Sequence, residues 1–309
     1  MKELADRLAL HPSEYKGKEL DTLVDVFGLK RDERLNKLFE SATHGDGNEI
    51  SRILIPHSSS LLAFLCFSNV SKDHPIRILG TKYVDVMFEV KNDVIESPDR
   101  YPSNIDVMLI DKSGTQILFL ESKFTEYLNG GRAYLANRYR AFYDSLLTSN
   151  EDKFRFKASE VRVNHRPDEN HHKGYSTIEY CLNNGNKTSE YLEGIKQAFS
   201  HLLGIATGPS AVQAKHNDNY TVQLLERAEK ITFASIVYNC NPEKYNAYFD
   251  LYKSVFTNGE IIKKALREAV PLSKNIDKLV IHHELLTYQQ LKKENPTWLP
   301  DKVKQFYNF

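Results

Sequence analysis

Alternating apolar and polar residues predict strands in the first half of the chain. Tyr83 to Val90 alternates in this way, with the period of a half-buried strand. Two apolar stretches follow at residues 105–110 and 116–123, and the polar segment Asp111 to Thr115 between them is typical of a turn. Together these stretches predict a β-hairpin that is symmetric about Ser113 and Gly114.

Helical periodicity and capping residues predict most of the other elements. The apolar run from Leu61 to Phe67 follows three serines that suit a helix N-cap. Residues 190–205 have the pattern of an amphipathic helix that Gly208 and Pro209 end. Further elements are an aromatic-rich helix at residues 133–147, a buried strand at 231–238, a helix at 245–256, a short strand near 278–281 and a helix near 288–293.

The order of these elements predicts an α/β fold in which helices flank a mixed central sheet. Short helical patterns with charged faces make residues 1–40 a helical N-terminal extension. Residues 41–260 would form the core, with a polar insertion near residues 150–189. Residues 261–309 would be a C-terminal extension packed on that core.

Charge and cysteine content narrow the classes of protein to consider. The 309 residues include 41 basic and 41 acidic side chains, so the overall charge does not favour binding to nucleic acid. Any attraction to phosphate must therefore come from a local basic patch or a bound cation. The three cysteines lack the spacing of a zinc site and are expected as free thiols. The chain start lacks a signal peptide, and no apolar run is long enough to span a membrane, so we expect a cytoplasmic protein without a membrane partner.

The predicted hairpin places charged residues on an apolar ribbon. Asp106 would lie opposite Glu121 on the same face, and Lys123, two residues further on, would share that face. Charges in such a place are costly unless they bind something. Two carboxylates suit Mg²⁺ or Mn²⁺, and a neighbouring lysine suits a developing negative charge. The residues therefore indicate metal-dependent hydrolysis of phosphodiesters.

An aspartate, a hairpin and Glu-x-Lys at the end of an apolar strand resemble the signature of the PD-(D/E)xK nuclease superfamily, the restriction-endonuclease-like fold. The resemblance covers roughly residues 40–240, and Ile105 stands where the eponymous motif has proline. It implies an αβββαβ core, which is the order that the hydrophobic pattern predicts. It also implies a Mg²⁺-dependent endonuclease, with DNA as the expected substrate.

The resemblance implies a role for each residue of the motif. Asp106, Glu121 and the main-chain carbonyl of Ser122 would hold Mg²⁺ or Mn²⁺. Lys123 would position water or stabilise charge at phosphorus. Glu49, in Gly47-Asn48-Glu49, matches the acidic position on the first helix of such nucleases and would act as a direct or outer ligand.

Residues outside the motif extend the resemblance. Gln197 and His201 are four apart, so they share a helix face, and they resemble the Gln-xxx-Tyr element of one branch of the superfamily with His in place of Tyr. Glu126 follows the motif and would line the cleft. The segment Ser58 to Phe64, together with Glu121 to Glu126, is similar to uncharacterised bacterial proteins of this fold.

Simpler interpretations of the same residues remain as alternatives. Asp85 and Glu89 alternate along their strand and are interpreted as solvent-facing, with a role near the metal as the alternative. An acidic residue at Glu49 could also be explained by the helix dipole alone. The cluster from Arg162 to Lys173 is either a nucleic-acid contact or a solvated loop. The chain would otherwise be a non-catalytic binding or structural member of the superfamily, or a small-molecule enzyme whose aromatic helix lines a pocket. A homodimer is an alternative to a monomer.

Overall fold

A computed structural model describes the chain at residues 17–43, 49–94, 102–125, 133, 139–148, 156–159, 177–181, 187–188, 191–208 and 219–309. No helix in these ranges is long and apolar enough to cross a membrane. The helices are α1 Glu19–Phe27, α2 Glu33–Thr43, α3 Glu49–Arg52, α4 Ser59–Phe67, α5 Arg140–Thr148, α6 Leu192–Thr207, α7 Asn219–Arg227, α8 Pro242–Phe256, α9 Gly259–Ala269, α10 Asn275–Lys278, α11 Tyr288–Glu294 and α12 Asp301–Tyr307. The strands are β1 Ile76–Ile78, β2 Thr81–Asn92, β3 Ser103–Asp111, β4 Gln116–Lys123, β5 Phe156–Ser159, β6 Thr177–Cys181, β7 Lys187–Thr188, β8 Lys230–Val237, β9 Leu279–Ile281 and β10 Leu286–Thr287.

A seven-stranded mixed sheet forms the centre of the molecule. Its order is β1-β2-β3-β4-β8-β10, and β9 also pairs with β8. Strands β1 to β4 pair with one another in antiparallel fashion, whereas β8 runs parallel to β4. A parallel pair needs a crossover connection, and α5, α6 and α7 lie in the chain between β4 and β8. The predicted mixed sheet flanked by helices is thereby confirmed.

Each face of the sheet is buried under its own group of helices. Helices α5 to α9 pack on one face, where Phe199 and Tyr252 are fully buried. Helices α1, α2, α4, α11 and α12 pack on the other face around Phe64. Strand β8 lies in the middle and is buried on both sides from Ile231 to Val237. Its near-continuous apolar sequence is the pattern expected of such a strand.

Several elements agree with the sequence patterns and others were missed. The Ser58 hydroxyl accepts the Ser60 amide and caps α4, as predicted. Three short strands, β5 to β7, form a separate sheet within the polar insertion, where no strand was predicted. The amphipathic helices α7 and α9 were also missed. Strands β9 and β10 extend the central sheet beyond β8, so residues after 261 supply strands as well as packing.

The aromatic residues of α5 fill the core. Phe142 and Tyr143 are buried, and their rings pack against Phe199 of α6 with centroids 5.7 and 5.8 Å away. Tyr139 is buried with them, while residues 134–138 lie outside the described part of the chain. The interpretation of this helix as the lining of a small-molecule pocket is therefore wrong for these three side chains.

Candidate active site

The turn between β3 and β4 is organised by one carboxylate. Asp111 accepts hydrogen bonds from the amides of Ser113, Thr115 and Gln116 at 2.9 to 3.2 Å. Gly114 has φ +71°, a conformation that glycine adopts without steric cost. The turn therefore fixes how the two strands pair.

The pairing aligns three carboxylates across neighbouring strands. Val107 lies opposite Leu120, so one step further Asp106 faces Glu121, and the predicted register is confirmed. On the other side of β3, Phe88 pairs with Val107 and Val90 with Ile105. Glu89 of β2 therefore lies opposite Asp106, half-buried and with φ +47°. This position agrees better with the alternative kept for Glu89, a place near Asp106, than with its interpretation as solvent-facing.

Glu121 makes two short contacts in a buried setting. One carboxylate oxygen lies 2.6 Å from Lys123 Nζ, and the other lies 2.7 Å from His201 Nε2. The exposed fractions of the three side chains are 3% for Glu121, 10% for Lys123 and 9% for His201. Water therefore screens these contacts little, and each strongly influences the ionisation of the carboxylate.

Ser122 links the two strands of the hairpin to the opposite face of the sheet. Its amide donates to Asp106 Oδ2 at 2.6 Å. Its hydroxyl points the other way and lies 2.7 Å from the phenol oxygen of Tyr288, which is fully buried. The first contact holds the Asp106 carboxylate beside Glu121, and the second ties the middle of the motif to α11.

The position of His201 depends on a close approach of α6 to the hairpin. A Cβ added at Gly204 would lie 2.9 Å from Ser103 Cβ and 3.1 Å from Asn92 Cβ, so the helix can lie this close only with glycine there. Ser103 Oγ is 2.6 Å from His201 Nδ1. The serine hydroxyl can accept from a protonated Nδ1 or donate to an unprotonated one, so this contact orients the ring in either state. Ser103 thereby fixes the ring that holds Glu121.

The two central carboxyls are driven in opposite directions. Burial alone would raise the pKa of Glu121, but His201 and Lys123 outweigh it and lower this pKa to about 2. Burial of the Asp106 carboxyl and the nearby Glu121 raise the pKa of Asp106 well above its usual value. Glu89 adds to this rise, whereas Lys123 and the Ser122 amide oppose it. A pair of carboxyls with separated pKa values is typical of functional sites.

The structure brings together most of the residues predicted for the site. Asp106, Glu121, Lys123 and His201 converge around the carboxyl end of β4. Gln197 lies one turn before His201 on α6 and is half-buried.

Two predicted residues lie outside the described part of the chain, either wholly or in their side chains. Glu49 begins the short helix α3, but its side chain lies outside the described part of the chain, as does all of Glu126. The cluster from Arg162 to Lys173 also falls outside it. Their predicted roles stay predictions.

The oxygen atoms of the site suit a hard divalent cation. Asp106, Glu121 and Glu89 offer carboxylates, and Ser122, which follows Glu121 in sequence, offers its main-chain carbonyl. Among the described residues, however, no group of three or more His, Cys, Asp or Glu side chains is arranged as a metal site. Mg²⁺ commonly uses one or two carboxylates and completes its shell with water and substrate phosphate, so the donor set of Asp106 and Glu121 is chemically sufficient.

Comparisons with known proteins give this chain no relative. No family model matches it, and no curated protein or solved structure does either. A family assignment therefore depends on the residues of the site and on the order of the elements.

Proposed function

We propose that this protein is a Mg²⁺- or Mn²⁺-dependent nuclease that hydrolyses phosphodiester bonds in DNA. The observation that carries the proposal is the buried Glu121, held between Lys123 and His201 and aligned with Asp106 across the hairpin. Maintaining two carboxylates and an ammonium group in a protein interior is costly unless the arrangement serves binding or catalysis.

The order of elements supports membership of the PD-(D/E)xK superfamily. Helix α4, the antiparallel strands β2, β3 and β4, helix α6 and the parallel strand β8 follow the αβββαβ order of that fold. The aspartate lies on the second of these strands and Glu-x-Lys ends the third. DNA as the substrate is an expectation taken from the resemblance.

The metal would be held by the carboxylates of Asp106 and Glu121 and by the main-chain carbonyl of Ser122. When bound, it would lower the pKa of a water molecule and stabilise negative charge at phosphorus. Lys123 would donate hydrogen bonds to the attacking water or to the phosphate oxygens. His201 and the Ser122 amide would keep the two carboxylates in place, so that little reorganisation accompanies the reaction.

Cleavage assays with matched variants test this proposal. Purified protein is incubated with supercoiled plasmid, linear duplex, single-stranded DNA and RNA, with Mg²⁺ or Mn²⁺ and with EDTA. We expect metal-dependent cleavage of DNA that Asp106→Asn abolishes. Asparagine is nearly isosteric with aspartate and keeps an oxygen that can accept the Ser122 amide, so this change should leave the thermal unfolding midpoint close to wild type.

Two further variants test the lysine, and thermal unfolding of each variant is recorded to show that it is folded. Lys123→Ala should abolish cleavage, whereas Lys253→Ala, which breaks the half-exposed pair with Glu284, should leave it unchanged. If the wild-type protein cleaves none of these substrates with either metal, the proposed function is wrong.

A second candidate is a member of the superfamily that binds without cleaving. It is favoured by the contacts that already compensate Glu121 and by the absence of a three-residue metal cluster among the described residues. Calorimetric titration with Mn²⁺ distinguishes the two. Binding that is lost in Asp106→Asn and Glu121→Gln supports the nuclease, and a lack of such binding supports this second candidate.

A further inference from the structure

A groove lined by basic side chains lies at the opposite end of the hairpin from the candidate active site. Its volume is about 560 Å³, and its lining includes Lys72, Arg77, Lys82 and Lys112, together with Asp111 and Gln116. We refer to the surface formed by the four basic residues as the cationic groove. Gln116 begins β4 and Glu121 lies near its end, so about 17 Å of strand separates the two regions.

The four basic side chains are exposed and available to a ligand. Within the described part of the chain, no carboxylate lies within salt-bridge distance of any of them, in contrast to Lys123 or Lys253. The acidic residue of the lining, Asp111, accepts hydrogen bonds from the amides of the β3–β4 turn, and the four cations outnumber its single negative charge. A chain with zero net charge therefore carries a concentrated positive region at this end.

Two of these side chains are held in an unfavourable arrangement. Arg77 of β1 is directly opposite Lys82 of β2 in an antiparallel pair. Like charges in this relation destabilise a sheet, although water reduces the cost at this exposed site. An anion placed between the two would convert the repulsion into attraction.

We propose that the cationic groove binds the phosphodiester backbone of nucleic acid at a site separate from the one that cleaves it. Phosphates repeat along a strand at about 3.4 Å of helix axis, which presents several charges to four cations around one groove. Arg77 uses one guanidinium nitrogen to donate to the Gly80 carbonyl at 3.1 Å, and its other donors can reach a phosphate. The lysines supply compact charge without base specificity.

Binding measurements in EDTA test the proposal without cleavage. Fluorescence anisotropy of a labelled DNA duplex is recorded against protein concentration at several salt concentrations. We expect Lys82→Gln/Lys112→Gln to weaken binding at least about tenfold, and to reduce the slope of log K against log salt by about 2, since each lost phosphate contact removes about 1. The control Lys30→Gln/Lys264→Gln removes two exposed charges elsewhere and should change the affinity by less than about twofold.

Further arms of the experiment separate the alternatives. Equal weakening by the groove and control variants would overturn the proposal, because the attraction would then be diffuse. Equally tight, equally groove-dependent binding of polyglutamate would also overturn it, since the groove would then suit an acidic protein surface. Thermal unfolding of Lys82→Gln should occur at the wild-type temperature or higher, because this change removes the repulsion from Arg77.

The inference rests in part on the proposed function, because the bound nucleic acid is the expected substrate, but the two can fail separately. Groove-dependent binding without any metal-dependent cleavage would disprove the nuclease and keep the binding site. Cleavage and binding that are both insensitive to the groove variants would disprove the site and keep the nuclease.

Discussion

The two ends of strand β4 carry charge in opposite ways. At the carboxyl end, Glu121 and Lys123 are buried and paired at 2.6 Å. At the amino end, the cationic groove is exposed, and Arg77 faces Lys82 without a carboxylate between them. Water screens like charges at a surface, so their repulsion costs little there. Buried charge must be compensated by its immediate neighbours, and this is why the two ends should respond differently to substitution.

Removal of the buried ammonium group should have the largest effect on stability. Lys123→Met leaves the Glu121 carboxylate buried with His201 as its remaining close partner, and we expect the free energy of unfolding to fall by about 3–5 kcal/mol. Urea denaturation measures it. Lys253→Met breaks a half-exposed pair and should cost less than about 1 kcal/mol. Similar losses in the two variants would contradict the contrast between buried and exposed charge.

Acid should lower the free energy of unfolding because it protonates the buried Glu121. Its pKa is about 2 in the folded protein against an ordinary 4.5, so its stabilising contribution is complete above pH 4.5 and is lost as pH falls toward 2. This contribution amounts to about 3 kcal/mol. The raised pKa of Asp106 acts in the opposite sense: it favours folding below the ordinary pKa of aspartate, and this contribution is lost as pH rises through the folded value. Urea midpoints between about pH 5 and pH 2.5 should therefore fall less in Glu121→Gln than in wild type, and an identical fall would argue against the low pKa.

Closing the space at Gly204 should disturb the buried end from outside the motif. Gly204→Ala places a methyl group against Ser103 and Asn92, and we expect a loss of about 1–3 kcal/mol in unfolding free energy together with reduced cleavage. Gly259→Ala is the matched control, because nothing lies within 4 Å of its added Cβ. If the two variants unfold alike, the close approach of α6 to the hairpin is not a constraint.

We expect the smallest change in unfolding free energy from a substitution near the cationic groove, in the turn between β1 and β2. Leu79 and Gly80 connect β1 and β2 with φ +50° and +79°, angles that suit the Asn-Gly sequence of a type I′ turn. Leu79→Asn should therefore raise the unfolding free energy, by about 1 kcal/mol, and raise the midpoint of thermal unfolding. Leu272→Asn, at a side chain that is 83% exposed, should not. A lower midpoint for Leu79→Asn would mean that the leucine makes a contact worth more than the strain.

Sequence patterns predicted those elements whose structure depends on residues that are close together in the chain. The apolar stretches around Asp111 to Thr115 gave the hairpin and its register, since the turn is built from residues close in sequence. Strand β9 was predicted as a short strand near residues 278–281, whereas the two residues of β10 are too few for any periodicity to show. Both strands form because β8 already offers its edge, which only the folded chain can provide.

The residues of the candidate site also fall into two groups: those that local sequence predicts and those that only the folded chain brings together. Asp106, Glu121 and Lys123 were predicted because they belong to one hairpin, whereas Ser103 contacts His201 across 98 positions of sequence and carries no local signal. Glu89 could have been found by pairing β2 with β3, but the ten residues between those strands leave the register undetermined. The glycine three residues after His201 was a usable signal, because glycine inside a helix usually marks a close approach.

The contact between Ser122 and Tyr288 has a consequence for synthesis on the ribosome. The two residues are 166 positions apart, so the charged end of β4 leaves the exit tunnel long before its phenol partner. Strand β10, which covers the edge of β8 at Ile236 and Val237, emerges just ahead of that partner. Domains generally fold as units once their chain is available, so the nascent protein carries the acids and the lysine well before it has the support that orients them.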